Sequence, residues 1–427
     1  MDALTTRLYE QIRRIVVIDP HSHLNPLRPA AKSLDDLLSY HYWTELSHSA
    51  GMPAADVAAS LPAAQRVRNI ARFLPRLSNT AQYAWLIEVA RDLLGFSEDF
   101  IDERNVDGLV DLAAAKMAQP GWADRVLAQS AIEVAFLTND FDDPLAGFDT
   151  TKFVPCLRCD ELVFKMGLPA VADRLRKCSK VDVKNGATLH QAIGEVFKHF
   201  VARGVRACAI GLPPDFAPQL VSIAAVEPLL AKMFAGQPLT HDECTRVRYH
   251  IFLTLAGLCA DYNLPFDLMI GAIRGVYPAG VTGGQDLFDR RNSLSQFDML
   301  FNAFPNVKFP VSIIDSGQNP ELATYGWIRP NVYPAGHWWY ANSPALIDTD
   351  LRTRLLAVPR VKQIGYYSDM YMLELGYPKF NMYRRILARA LAEEFVVGLG
   401  WSEDKAIDLA TDLLRRNVQR IFYNENI

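Results

Sequence analysis

The stretch IVVIDPHSHLNP, residues 15–26, joins a short apolar run to two histidines one residue apart. The run at 15–18 has the length and composition of a buried strand. In an extended chain, residues i and i+2 point to the same side, so His21 and His23 present their imidazoles in one direction. Such a pair is poorly suited to a core and well suited to a metal ion. The stretch therefore predicts a rigid strand with metal ligands at its carboxyl end.

Eight short apolar runs, of which this is the first, are separated mostly by segments with helical periodicity. Runs that are apolar on both faces are typical of parallel strands covered by helices. We therefore predict an α/β fold, specifically a (β/α)8 TIM barrel. The predicted strands occupy residues 15–19, 132–137, 152–158, 205–211, 266–271, 307–313, 331–339 and 362–369.

The interval between the first two predicted strands is about a hundred residues, far longer than an ordinary crossover. Its sequence has helical periodicity interrupted by Pro, Gly and Asn. We predict a helical insertion subdomain at 35–130 and a barrel formed by 1–34 and 131–427. Two closing helices are predicted near 379–397 and 403–421.

The composition is that of a soluble globular enzyme, with 427 residues, 50% hydrophobic and 22% charged. The net charge of −4 argues against nucleic acid or an anionic membrane as a partner. Six cysteines do not suggest a disulfide framework, so we expect a reducing cytoplasm. Cys156 and Cys159 form a CxxC without a second pair, and we interpret that spacing as accidental.

A metal site is predicted where the first and last strands of the barrel meet. Asp369 ends the eighth apolar run, and a barrel sets its eighth strand beside its first, with sites at the carboxyl ends. Asp369, His21 and His23 would form a three-ligand site for one divalent metal, preferably Zn²⁺, with a position open for water or substrate. Taken singly, the histidines could lie in a half-exposed loop and the aspartate could be a turn or cap residue.

Several motifs, in their shared order along nearly the whole chain, resemble those of the uronate (glucuronate) isomerase branch of the amidohydrolase superfamily. The opening motif DPHSHLNP resembles the first metal motif of that superfamily. The other motifs are YHYW (40–43), LTNDFDDP (137–144), PCLRCD (155–160), IGAIRG (270–275), GHWWYANSP (336–344), YSDMY (367–371) and YRRILARAL (383–391).

The resemblance implies a metal-dependent enzyme that interconverts the aldose and ketose forms of a hexuronate or a related sugar acid. It implies the same three metal ligands, and a carboxylate that moves a proton between adjacent carbons. Asp369, Tyr42 and His41 are the catalytic residues that it suggests. Arg158 and Arg274 would bind the substrate, since a guanidinium fits the two oxygens of a carboxylate.

Four residues depart from the family pattern at the predicted strand ends. Met269 replaces a histidine, Ala209 and Ile210 replace an acid and a histidine, and Tyr371 replaces an arginine. Thioether and alkyl groups cannot exchange protons as imidazole and carboxyl groups do. We interpret these changes as a retained metal frame with an altered substrate.

Other residues near the strand ends are candidates to compensate. His337 is either a third imidazole or a histidine packed among aromatic rings, and Asp215 is either an acidic site residue or a loop residue. Trp338 and Trp339 suit either the face of a sugar ring or simple packing. We include His337 and Trp339 among the substrate-binding candidates.

Three functions remain open at the level of the sequence. The order of the motifs favours the isomerase. A mononuclear metal hydrolase of a lactone, ester or amide needs only the three ligands and a base. A catalytically silent sugar-acid binder fits the lost polar residues but leaves the retained ligands unexplained. A small-molecule substrate, a sugar acid, is the expected partner. The helical insertion is expected to expose apolar helical faces, so a homo-oligomer is expected as well.

Overall fold

The computed structural model describes residues 1–425 and has a mixed α/β fold built on parallel strands. Every strand pair within this range is parallel except the β8–β9 hairpin. The predicted α/β class is confirmed. The strands are β1 Val17–Asp19, β2 Ile132–Phe136, β3 Asn139–Asp140, β4 Phe153–Val154, β5 Cys156–Arg158, β6 Ala207–Leu212, β7 Phe266–Ile270, β8 Ala272–Ile273, β9 Leu287–Phe288, β10 Phe309–Ile313 and β11 Val332–Pro334.

The strands form two parallel sheets, in the orders β1-β2-β4 and β11-β10-β7-β6-β5-β3. The strand predicted at 152–158 is divided at Pro155 into β4 and β5, since proline has no N–H for the ladder. Its partner run is divided between β2 and β3. Leu137 N donates to Val154 O at 2.9 Å at this break, so the two sheets adjoin there.

The eighth predicted strand, 362–369, is an extended segment rather than a regular strand. Ile364 bridges to Ala335 beside β11. Further along, Asp369 N donates to His21 O at 3.1 Å, and His23 N donates to Met370 O at 2.8 Å. The segment therefore lies between β11 and the residues that follow β1. The first and last runs of the chain are adjacent, as the sequence predicts.

Helices surround the strands and fill the long interval between β1 and β2, where α2 to α7 lie. No helix among residues 1–425 is both long and apolar enough to cross a membrane. The α-helices are α1 Ala3–Ile12, α2 Leu34–Leu38, α3 His41–Ser49, α4 Ala63–Ala71, α5 Ala81–Glu88, α6 Val106–Met117, α7 Trp122–Ser130, α8 Asp160–Phe164, α9 Pro169–Ser179, α10 Gly186–Ala202, α11 Ile223–Phe234, α12 His241–Asp261, α13 Asp298–Ala303, α14 Asn319–Ile328, α15 Pro344–Ala357, α16 Gly376–Ala390, α17 Glu403–Thr411 and α18 Asn417–Phe422.

Some predicted boundaries differ from the structure. The strand predicted at 331–339 ends at Pro334, because Gly336 and Trp339 adopt positive φ angles of 41° and 47° that an extended strand does not allow. The helix near 379–397 begins earlier, as α16, and continues as π-helix Leu391–Gly398. The Ser402 side chain caps the N-terminus of α17. These shifts leave the order of the elements unchanged.

Alternation along the strands decides which side chains face inward. On β7, Leu268 and Ile270 pack in the apolar cluster that contains helix residues such as Phe252. Asp267 and Met269 point to the opposite side, since successive side chains alternate in a strand. Both are buried, at 5% exposure. The inward face of β7 therefore carries a buried acid one layer below Met269.

Candidate metal centre

The three predicted metal ligands lie together. His21 Nε2 is 3.4 Å from Asp369 Oδ1, and His23 Nε2 is 3.3 Å from the same oxygen. One ligand atom from each residue lies within 4.8 Å of the others. Residues about 350 apart in sequence thus meet because the last extended segment lies beside the first strand.

The donor atoms at this point fit a divalent cation. His21 Nε2 and Asp369 Oδ1 are buried, and neither has a hydrogen-bond partner. Buried polar atoms are nearly always paired, so such a pair needs an explanation. Two imidazoles and one carboxylate are a common ligand set for catalytic zinc and related ions. A cation between them would satisfy both atoms.

The charge on the carboxylate also fits a cation. Burial opposes ionisation of Asp369, but the imidazoles of His21 and His23 beside it hold the pKa of its carboxyl well below the ordinary value. Burial lowers the pKa of His23, which favours the neutral ring that a metal requires. At neutral pH the site therefore presents an anionic oxygen.

The tautomer of His23 is fixed by a neighbouring threonine. Thr138 Oγ1 lies 3.1 Å from Ser22 O and 2.8 Å from His23 Nδ1. The hydroxyl has one proton and gives it to the carbonyl, so its lone pair accepts the Nδ1 proton of His23. His23 Nε2 is then left with a free lone pair directed at Asp369. Such second partners orient the histidine ligands of metal sites.

The backbone at Asp369 is held in a left-handed conformation, with φ at 51°. Such a conformation is strained in an aspartate and persists where the surroundings fix it. Tyr40 OH donates to Asp369 O at 3.3 Å, and Lys379 Nζ donates to Ser368 O at 2.7 Å. Helices α3 and α16 thus meet the strand end from outside and fix the direction of its carboxylate.

Asp19, the acid of the opening motif, has a structural role that sequence reasoning missed. Its carboxylate is fully buried and accepts from both the backbone N (2.9 Å) and the hydroxyl of Ser368. Burial raises the pKa of Asp19 to about 6. These bonds tie the first strand to the residue before Asp369. The signal in the sequence was an acid inside an apolar run.

Asp267 is a second acid that sequence reasoning did not identify. Its Oδ2 lies 4.0 Å from His21 Nδ1, on the side of the ring away from Asp369. Burial raises the pKa of Asp267 to about 6. The run FDLMIG, residues 266–271, predicts only an apolar strand, and nothing local in it indicates which strand its acid faces.

A cavity of about 760 Å³ opens above the three candidate ligands. Arg158 and Arg274 line it, and each is paired with a neighbouring acid, at 3.2 Å to Asp160 and 2.7 Å to Asp286. The guanidinium of Arg274 also lies 5.4 Å from the centre of the Trp339 ring. Two cations beside an aromatic face can bind an anionic sugar derivative.

The cavity wall contains other residues named from the sequence. His41 lines it, and burial lowers the pKa of that imidazole to about 4. Tyr371 lines it too and stacks on His23, with ring centres 4.7 Å apart. Ala209 and Met269 give the wall an apolar part. All four departures from the family pattern therefore line this cavity: Ala209, Ile210, Met269 and Tyr371.

Two predicted site residues do not reach the cavity wall. Tyr42 is 4% exposed, and its ring lies 5.2 Å from Lys379 Nζ, behind the site. His337 is 2% exposed and faces Asp350, with Nδ1 at 3.8 Å from the carboxylate. The strand predicted to carry His337 into the mouth ends three residues earlier, so its ring turns into the core. Direct contact of Tyr42 and His337 with substrate stays a prediction. Their placement outside the cavity wall does not support it.

A sequence model of the glucuronate isomerase family matches residues 1–426. The chain belongs to the glucuronate isomerase family. The predicted resemblance to uronate isomerases is confirmed, and membership makes the chain an isomerase.

Relatives within the glucuronate isomerase family are distant in sequence and similar in length. The chain is 21% identical over 421 residues to the uronate isomerase of Thermotoga petrophila, which covers 91% of this chain and 90% of the relative. It is 24% identical over 465 aligned positions to that of Salmonella paratyphi B, covering 99% and 95%. The crystal structure of the Thermotoga maritima uronate isomerase matches with a TM-score of 0.91 at 19% identity, covering 99% and 98%. The fold is therefore shared over nearly the whole chain.

His337 is expected to make this glucuronate isomerase family member sensitive to acid. Burial lowers the pKa of His337 to about 4, below the value near 6.5 of an unfolded histidine. The unfolded state therefore binds the extra proton first, and stability is lost as the pH falls from about 6.5 to about 4. The full loss is about 3 kcal/mol. Urea unfolding at both ends of this range measures it.

The variant His337→Phe is the control for that loss, because it keeps a ring beside Tyr366 and Tyr383 and cannot titrate. Its stability should fall about 3 kcal/mol less than that of the wild type over the same pH range. An equal loss in both proteins would assign the acid sensitivity to other groups.

Proposed function

We propose that this protein is a metal-dependent aldose–ketose isomerase of a hexuronate or a related sugar acid. The observation that carries the proposal is the convergence of His21 Nε2, His23 Nε2 and Asp369 Oδ1 at the floor of a cavity lined by two arginines. The family supplies the reaction class, and the arginines supply the preference for an acid.

One divalent metal, with Zn²⁺ preferred, is proposed to bind His21, His23 and Asp369. Held by these residues, the ion would supply Lewis-acid polarisation of the carbonyl and adjacent hydroxyl of the sugar. The carboxylate of Asp369 is proposed to take the proton from one carbon and return it to the next. His41 is proposed to act as a neutral hydrogen-bonding imidazole beside the sugar, consistent with its lowered pKa.

The substrate carboxylate is proposed to bind Arg158 or Arg274, and a face of the sugar to lie on Trp339. Both guanidiniums already face an acid, so they bind the ligand within ion-pair networks. Tyr42 is proposed to act indirectly, through the Lys379 ammonium that lies over its ring. His337 is proposed to support the site from the core.

A closed (β/α)8 barrel at 1–34 and 131–427, with an insertion subdomain at 35–130, is part of the proposal. The hydrogen bonds that join His21 O to Asp369 N and Leu137 N to Val154 O support closure. Residues 426–427 of that range lie outside the described residues.

The protein is also proposed to work in the cytoplasm as a homo-oligomer. All six cysteines are free, which fits a reducing compartment. Trp327 and Ile328 at the end of α14 expose 69% and 66% of their surface, which fits a protein interface. Sequence reasoning placed such faces in the insertion, whereas these residues lie outside it.

The proposed function is tested by incubating metal-loaded protein with glucuronate and with galacturonate in D₂O and following the sugars by NMR. A ketose product is expected. If the proton carried by the Asp369 carboxyl exchanges with solvent before it is returned, the carbon that receives it will carry deuterium. A panel of lactones and esters is assayed in parallel. Hydrolysis of that panel without conversion of any hexuronate would contradict the isomerase and favour a hydrolase.

A further inference from the structure

Asp267 occupies a position that no part of the proposed reaction explains. It lies on the inward face of β7, is 5% exposed, and has a buried Oδ1 without a hydrogen-bond partner. Its other oxygen, Oδ2, is 4.0 Å from His21 Nδ1. Asp267 does not line the cavity, so a substrate in the cavity does not reach it. A buried carboxylate in an apolar strand is costly unless another group uses its charge.

The imidazole of His21 is the group that the Asp267 carboxylate can interact with. Its Nε2 faces Asp369 Oδ1 and lacks a partner, so this nitrogen carries the lone pair when a cation is bound. A neutral imidazole has one proton, which must then be on Nδ1. On that side of the ring lies Asp267 Oδ2, 4.0 Å from Nδ1, a separation that must shorten for the N–H to donate to the carboxylate. In metal sites the second nitrogen of a histidine ligand commonly donates to a carboxylate or carbonyl.

The residues on the two strands beside Asp267 do not offer another acceptor for the Nδ1 proton of His21. Ala209 is its cross-strand partner on β6 and has no polar side-chain atom. On the other neighbouring strand, β10, the Ser312 hydroxyl donates to Ala335 O at 3.4 Å. His23 differs from His21 in this respect, because its Nδ1 has a hydroxyl partner, Thr138, instead of an acid.

We propose that Asp267 is a positioning residue for the metal centre, accepting the Nδ1 proton of His21 so that its Nε2 is oriented toward the cation. The inference rests on the proposed metal site and adds to it an outer carboxylate for one ligand only. Asp267 fixes the tautomer of His21 and increases the basicity of its Nε2. Substitutions of Asp267 are therefore expected to lower metal affinity. They should change activity only because less metal is bound.

The test uses the full-length protein stripped of metal by a chelator and titrated with Co²⁺, whose visible spectrum reports ligand geometry. Wild type, Asp267→Asn and Asp267→Ala are compared, and affinity is measured by competition with a chelator. Asp267→Ala is expected to bind Co²⁺ about 10–100-fold more weakly, with an altered spectrum. Asp267→Asn keeps an acceptor oxygen without the charge and is expected to fall between the two.

A matched control is Asp350→Asn. Asp350 is also buried, at 2% exposure, and faces the Nδ1 of a histidine, His337, at 3.8 Å. It lies outside the metal centre, so its variant should keep wild-type Co²⁺ affinity and spectrum even if its melting temperature falls. A similar weakening in this variant would mean that any loss of a buried acid has the same effect, and would overturn the inference.

Two further outcomes separate this inference from the proposed function. If the wild type binds Co²⁺ and both Asp267 variants bind it as tightly, with the same spectrum, the positioning role is wrong and the metal centre stands. If the wild type does not bind the ion at all, both are wrong. Should Asp267→Ala not fold, Asp267→Asn decides, together with the Nδ1 proton of His21 in the metal-loaded wild type. This proton must be detectable by NMR of ¹⁵N-histidine-labelled protein.

Discussion

Asp369→Asn is expected to reduce kcat/KM for the hexuronate by about 10³-fold or more, which corresponds to about 4 kcal/mol of transition-state stabilisation. The substitution removes the charge of the one carboxylate among the three ligands, whose Oδ1 lies 3.3–3.4 Å from both imidazoles. It also removes the proposed proton carrier. Both losses act on the chemical step, so kcat should fall more than KM rises.

The size of Asn leaves the left-handed backbone at this position intact, since asparagine adopts positive φ more readily than most residues. Steady-state kinetics and metal content are measured together. Asp35→Asn is the control, a buried acid in α2 that pairs with Arg66 and lies in the helical segment between β1 and β2. If Asp369→Asn keeps activity within about tenfold of wild type, Asp369 is neither ligand nor base.

Glu374→Ala is expected to lower the free energy of unfolding by about 4 kcal/mol. Glu374 is fully buried, and its carboxylate accepts from the backbone N of Ala31 at 3.1 Å and from Trp122 Nε1 at 2.6 Å. Trp122 belongs to α7, so these bonds join the helices between β1 and β2 to the segment after Asp369. Alanine leaves two buried donors unpaired and a cavity behind.

The loss is measured by equilibrium unfolding in urea near neutral pH. Glu374→Gln is the matched control, because an amide oxygen in place of Oε1 can still accept from both Ala31 N and Trp122 Nε1. It loses the charge and adds buried N–H donors, so its loss should be about half as large. A loss below about 1 kcal/mol for Glu374→Ala would show that water replaces the carboxylate and that this junction contributes little.

The element order could be predicted from the sequence because the strands are short apolar runs with clear helical intervals. The ends of the last two predicted strands, 331–339 and 362–369, could not be predicted, because they depend on backbone angles rather than on hydrophobicity. Gly336 has a positive φ, and a Cβ there would lie 2.2 Å from the Tyr367 ring, so the chain turns before Trp338. This turn is what removes His337 from the cavity.

The three candidate metal ligands could be selected from the sequence because each carries a local signal: two histidines at i and i+2, and an acid at the end of a strand. Their supporting residues carry no such signal. Asp19 and Asp267 are acids in apolar runs, and their partners, Ser368 and His21, belong to other strands. Lys379 lies on a helix, where a lysine normally faces solvent. Only the order of the strands shows that these groups surround one site.

The central claim is that His21, His23 and Asp369 hold one divalent cation, and anomalous X-ray diffraction at the zinc edge from crystals of the Zn²⁺-loaded protein tests it most directly. We predict a single strong anomalous peak about 2.0–2.2 Å from both Nε2 atoms and a carboxylate oxygen of Asp369. A zinc ion bound elsewhere, with these three side chains out of reach, would contradict the account.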